Sequence, residues 1–200
     1  MSVPTVTIAS IVEGDGEVRA LPKLLFRLAR QHSIVDLRVP PPMRVSRGKL
    51  LAAGGIERAV LAAAQRVGTS GGVLVLLDAD DDCPAGLGPA LLKRAKSARS
   101  DMPLSVVLAK REFEAWFLAA AASLAGHHNF PGDLSAPADP ERIRGAKEWL
   151  REHRTDGRPY KPTVDQAPLA SVFDIGQARS GSPSFDKFCR DVRALLNSSA

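Results

Sequence analysis

Cysteine is nearly absent. The 200-residue chain has two, Cys83 and Cys189. They stand far apart and lack paired zinc-ligand spacing, so the sequence implies neither a disulfide framework nor a zinc site. Long hydrophobic runs are also missing. The longest, about Leu118 to Ala125, is Ala-rich and too short to cross a bilayer. The opening MSVPTVTIAS has no basic n-region and no apolar h-region, which argues against a signal peptide. These absences lead to the expectation of a cytoplasmic protein. Three nucleotide or cation motifs fail as well. No Walker lysine occurs. Gly14-x-Gly16 lacks the third glycine of a dinucleotide fingerprint, because Arg19 stands there. Asp78-x-Asp80-x-Asp82 opens like an EF-hand loop, but Cys83 replaces the turn glycine and Pro89 the bidentate glutamate.

What is present suits one domain, or one domain with an appendage. Hydrophobic residues make up 44% and charged residues 24%, an ordinary globular balance. The net charge is +5. Residues 1–100 carry 14 Lys/Arg against 9 Asp/Glu, while residues 101–200 carry 13 of each. The excess therefore lies in the half that also holds a run of aspartates. Between the first acidic segment and that run stand Arg19, Lys23, Arg27, Arg30, Arg38, Arg44, Arg47, Lys49, Arg58 and Arg66. Basic surface beside an acidic focus suits a polyanion that meets a metal. For any single arginine, a solvated helix face explains its presence equally well.

Along the chain, short apolar runs alternate with helical patterns. Strands are expected at 4–12, 34–39, 73–77 and 104–109, the second stopped by Pro40, Pro41 and Pro42. Helices are expected at 17–31, 48–67, 89–99 and 112–125. Strands that are apolar on both faces mark a parallel sheet covered on both sides. After Gly126 the chain turns irregular, with helices expected at 140–153, 166–173 and 185–196 and a turn at ARSGSPS. The organisation predicted is an α/β core over 1–125 and a helical extension over 126–200 packed on it.

Three strand ends are followed by acidic residues. Glu13, Asp15 and Glu17 follow the first; Asp78, Asp80, Asp81 and Asp82 the third; Glu112 and Glu114 the fourth. In a parallel sheet these ends share one edge, where such folds bind ligands. Hard carboxylate oxygens select Mg²⁺, Mn²⁺ or Ca²⁺ rather than zinc. Strand alternation would put Asp78, Asp80 and Asp82 on one side and leave Asp81 solvated. Asp78 and Asp80, nearest the strand, are the expected metal ligands, with Glu13 as a further ligand or a general acid/base and Asp82 as an outer or second-metal residue. A cation there would polarise a phosphodiester and activate a water. Glu112 and Glu114 complete the expected catalytic set. Lys110, Arg111, Arg158, Lys161 and Arg179 are the candidates for contact with nucleic acid. Tyr160, between the last two segments, is read as packing on the core in preference to stacking on a base. Cys83 is read as a small buried residue, Trp116 as core, and His127 and His128 as exposed loop residues.

The ordered set of motifs resembles a known group. A glutamate after strand one (Glu13 in IVEGDGE) followed by Asp78-x-Asp80 is similar to the Toprim domain of topoisomerases, primases and overcoming-lysogenisation-defect nucleases. The fuller set resembles a bacterial family of uncharacterised, Toprim-like proteins. Its motifs here are VEGxxE (Glu13, Gly14, Glu17), DADDDC (Asp78, Asp80, Cys83), ExEAW (Glu112, Glu114, Trp116), YKPxxDQ (Tyr160, Lys161, Pro162, Asp165, Gln166) and SxSF (Ser182, Ser184, Phe185). The resemblance implies a Toprim-like, Rossmann-like core of about four mostly parallel strands and a Mg²⁺ or Mn²⁺ site at Glu13, Asp78 and Asp80. It also implies nuclease chemistry in mobile-element or phage defence. Members of the wider group occur with ABC-type ATPases, so the alternative is a non-catalytic or conditionally active subunit of such a complex. No ATPase segment lies in this chain. A phospho-acceptor receiver, with Asp78 as acceptor and Lys110 after strand four, leaves Asp80, Asp82, Glu112, Glu114 and the helical tail unexplained.

Overall fold

β-branched and leucine residues without polar alternation form three fully developed strands: β1 (Val6–Val12), β4 (Gly71–Asp78) and β5 (Leu104–Ala109). A computed structural model describes residues 5–68 and 70–198; Pro4, the first residue of the expected first strand, lies outside them. β1 pairs with β4 and β4 with β5, all parallel. Two short strands, β2 (Leu37–Arg38) and β3 (Met43–Arg44), also pair parallel with β1. The sheet order is β2-β1-β4-β5, with β3 on β1 beyond β2. The expected second strand thus shrinks to two residues. Pro40 to Pro42 lack the N–H groups a ladder needs, and the chain rejoins β1 only at Met43.

Both faces of the sheet are covered, as uniformly apolar strands require. Ala9, Ile11, Val73, Val75, Leu77 and Leu108 pack on α3 (Gly55–Ala64) and α4 (Pro84–Ala98) through Ile56, Val60, Leu91 and Ala95. The alternate residues Ile8, Val12, Leu74, Leu76 and Val107 face α1 (Asp15–Gln31), which contributes Leu21, Leu24, Leu25 and Leu28 at helical spacing. The same cluster takes in Trp116 and Phe117 of α5 (Ala115–Ala119), Leu169 of α7 (Pro162–Val172), and Phe185, Phe188 and Val192 of α9 (Pro183–Leu196). Burying each aromatic ring stabilises by roughly 1.5–3 kcal/mol. Helices from 126–200 therefore complete the layer that covers this face. No helix among the described residues is long and apolar enough to cross a membrane.

Helix boundaries differ from the periodicity reading where glycine and proline intervene. The expected helix 48–67 breaks into α2 (Arg47–Leu51) and α3 at Gly54, which has φ +68°. A Cβ on Gly55 would lie 1.9 Å from the Lys49 carbonyl oxygen, so only glycine allows the two helices to abut there. The expected helix 112–125 is the five-residue α5 followed by a 3₁₀ turn, Ala121–Leu124. Residues 140–153 hold a 3₁₀ turn and then α6 (Ala146–Glu152). ARSGSPS is the junction of α8 (Ile175–Gly181) with α9. Ser182 ends one helix and caps the next by accepting the Phe185 N–H.

Candidate functional site

The parallel register aligns the strand ends: Val12 lies beside Leu76, and Asp78 beside Ala109. Glu13, Asp78 and Lys110 therefore emerge at one edge. Asp78 Oδ1 accepts the Phe113 N–H at 2.8 Å. Burial, and then the charges of Glu114 and Glu17, raise its carboxyl well above the usual aspartate range. Glu13 is half-buried, and its Oε2 is buried with no hydrogen-bond partner. Burial and the Asp80 charge push its carboxyl up, while Arg47 opposes them.

Beyond Asp78 strand alternation stops. Asp80 adopts φ +48°, and the chain turns, with Asp82 N–H on Ala79 O at 2.9 Å. Asp80, Asp81 and Asp82 therefore stand in an exposed turn, so the alternation expected of an extended chain does not apply to them. Their charges are offset by arginines from three segments. Arg47, mostly buried, donates from Nη1 to Asp78 O at 2.9 Å. Its Nε lies 3.4 Å from Asp80 Oδ2, and its Nη2 pairs with Asp82. Asp81, expected to be only solvated, pairs with Arg111 at 2.5 Å and Arg144 at 2.8 Å. Lys110 Nζ reaches Asp82 O at 3.4 Å.

Behind this edge lies a buried polar network. Glu114 is fully buried; its Oε1 accepts from Tyr160 Oη at 3.1 Å and from Gln166 Nε2 at 2.7 Å. The same Gln166 nitrogen donates to Glu17 Oε1 at 2.8 Å, and Glu17 Oε2 accepts the Gly14 N–H at 2.7 Å. Lys147 Nζ donates to Glu112 Oε2 at 2.6 Å and lies 3.3 Å from Glu114 Oε2. Glu112 Oε1 accepts the Ala146 N–H at 3.1 Å. Burial raises the Glu114 carboxyl against the opposing pull of Lys147 and Gln166. Burial alone would lower the Lys147 ammonium, but Glu114, Glu112 and Asp78 outweigh it and hold the charge firmly on. Burial and Glu114 push the Tyr160 phenol well above its ordinary value. Three of the sequence motifs thus meet in one chain of hydrogen bonds. The serine motif sits alongside: Ser184 Oγ accepts from Trp116 Nε1 at 2.9 Å and from the Lys110 N–H at 3.1 Å.

Glu13, Asp78 and Asp80 share the edge; Asp82 is turned to Arg47; Glu112 and Glu114 are engaged by Lys147. Lys110 and Arg111 border the aspartate turn. Of the other basic candidates, Arg179 has its guanidinium engaged, while Arg158 and Lys161 are exposed and bond here through their backbone N–H groups. Arg179 is held on Asp186 at 2.8 and 2.9 Å. The Lys161 N–H donates to Asp165 at the start of α7, and the Arg158 N–H to Asp156. Tyr160 is buried, so its ring is no exposed stacking platform. Cys83, expected to be buried, is exposed, because α4 begins only at Pro84 and leaves it at the N-cap. Sequence reasoning missed Arg144, Lys147 and Gln166 as site residues and counted Arg47 only as general basic surface.

Among the described residues no group of three or more His, Cys, Asp or Glu side chains is arranged to hold a metal ion. Arg47 and Lys147 supply the positive charge in this arrangement. The donor set is nonetheless one of hard carboxylate oxygens, and the buried Glu13 Oε2, which makes no hydrogen bond among the described residues, suits a hard divalent cation.

A family model described as a domain of unknown function, DUF4276, matches residues 12–193. The chain belongs to this family. The matched span runs from the end of β1 into α9, so it takes in every residue of the DUF4276 acidic edge and of the network behind it. Comparison with curated proteins and with solved structures finds no match.

Proposed function

We propose that this chain is a divalent-metal-dependent phosphodiesterase, a nuclease acting on DNA or RNA, on a Toprim-like form of the α/β fold. The observation that carries this reading is Glu13. It stands at the end of β1 beside the end of β4, its charge destabilised by burial and by Asp80, with a buried carboxylate oxygen that makes no hydrogen bond among the described residues. A hard cation is the partner such an oxygen suits. Glu13, Asp78 and Asp80 would hold Mg²⁺ or Mn²⁺, with Asp82 at the outer position. When bound, the ion would polarise the phosphodiester and lower the pKa of an attacking water. Glu112 and Glu114, fixed by Lys147 and Gln166, set the electrostatic field behind the ligands. Lys110 and Arg111 border the turn where a polyanion would approach. Purified protein should cut labelled DNA or RNA with Mn²⁺ or Mg²⁺, and Asp78→Asn should lower the rate at least about a hundredfold. Metal-dependent cleavage that survives Asp78→Asn would sink the assignment.

A second reading rests on the way the chain neutralises its own acids. Arg47 engages Asp80 and Asp82, and Lys147 engages Glu112 and Glu114. That pattern fits a subunit kept inactive until a partner, such as an ABC-type ATPase, shifts these contacts. Cleavage seen only with the co-purified partner would favour it; full activity of the isolated chain would exclude it.

A further inference from the structure

Asp81 has no part in the proposed metal chemistry, yet two guanidinium groups converge on one of its oxygens. Oδ1 lies 2.5 Å from Arg111 Nη1 and 2.8 Å from Arg144 Nη2. One carboxylate balances only one of these charges. Arg111 itself is held at φ +65°, a left-handed conformation that non-glycine residues adopt at a cost. Its Nε is buried without an acceptor, so the guanidinium has an unused donor. A cavity of about 150 Å³ opens between these groups, lined by Asp80, Asp81, Arg111, Glu112, Arg144 and Gly145. Its two other acids already have cationic partners: Asp80 lies against Arg47, and Glu112 against Lys147.

We infer that Arg111 and Arg144 form a clamp for one phosphate of a phosphodiester chain, and that Asp81 is a placeholder which the phosphate displaces. The inference rests on the nucleic-acid reading of the edge. A phosphodiester spreads one negative charge over two non-bridging oxygens, which two planar guanidinium forks can share; a carboxylate oxygen held by both leaves the Arg111 Nε donor idle. The Asp81 carboxylate is 73% exposed, so water can take it up when it is released. Asp81 then keeps the arginines poised and raises the threshold for weak anions.

The test measures binding in EDTA, so that no metal and no cleavage intervene. Inorganic phosphate is titrated by calorimetry, and a fluorescent single-stranded decanucleotide by anisotropy. Arg144→Gln should weaken both ligands by about fivefold or more, and Asp81→Asn should tighten both by a similar factor. Both side chains are largely exposed, at 71% and 73%, so each variant should keep the fold, which circular dichroism checks. Affinities unchanged in both variants, or weaker binding by Asp81→Asn, would overturn the clamp. Phosphate binding without oligonucleotide binding would overturn its assignment to a nucleic-acid chain. Because the assay contains no metal, a failure here is separable from a failure of metal-dependent cleavage.

Discussion

Asp78 occupies the last position of β4 with one oxygen on the Phe113 N–H and the charges of Glu114 and Glu17 nearby. Its folded carboxyl lies above the unfolded value, so the native state holds the extra proton as pH rises. The stability this proton carries is complete below about pH 4 and is lost as pH climbs through the folded value. Asp78→Asn keeps an oxygen for Phe113 and removes the charge. It should stabilise the fold at pH 8 by about 1 kcal/mol and change little at pH 4, read as melting temperatures at both values. An equal effect at both pH values would show that the raised carboxyl is not the cause. Asp81, Asp156 and Asp186, at the surface or partly exposed, are lowered by their arginine partners and pull the opposite way, but solvent and salt screen them. For that reason the comparison is between variant and parent. That Glu13, Asp78 and Asp80 lie at one sheet edge was legible in the sequence, because they follow apolar strands. The positions of Arg47, Lys147 and Gln166 beside the acids were not, because only helix packing carries them there.

The helices carry the rest of the site. Gln166 on α7 ties Glu17 on α1 to Glu114 just before α5 with a single amide nitrogen. α1 and α7 approach closely here: a Cβ on Gly16 would lie 2.2 Å from Gln166 Oε1. Gln166→Leu removes the donor that two buried carboxylates share. Glu114 Oε1 keeps the Tyr160 hydroxyl, but Glu17 Oε1 is left unpaired, and a buried unpaired acceptor costs about 1–3 kcal/mol, so urea denaturation should show a loss of that order. A loss under about 0.5 kcal/mol would mean that water or Lys147 replaces the amide. β1, β4 and β5 were legible from their unbroken apolar runs. α7 and α9 begin at Pro162 and Pro183, ahead of the expected 166 and 185, because proline suits the first turn, where its missing N–H costs nothing. The break between α2 and α3 was only hinted at by Gly54 and Gly55. It matters because it sets Arg47 at the start of a separate short helix.

At the scale of the molecule, the parallel sheet with helices on both faces was legible from the alternation of apolar strands with helical patterns. What the alternation did not reveal is that 126–200 closes one face of the sheet and also delivers Arg144, Lys147, Tyr160 and Gln166 to the acidic edge. The aspartate turn, charge-dense in sequence, is held by its own arginines: Arg47 on one set of carboxylates, Arg111 and Arg144 on Asp81. The central proposal is that a divalent cation binds Glu13, Asp78 and Asp80 and displaces Arg47 from Asp80. Anomalous diffraction from crystals soaked in Mn²⁺ tests it most directly. The account predicts a manganese peak bonded to Glu13, Asp78 and Asp80, with Arg47 released from Asp80. No peak at this edge, with Arg47 still seated on Asp80 and Asp82, would contradict it.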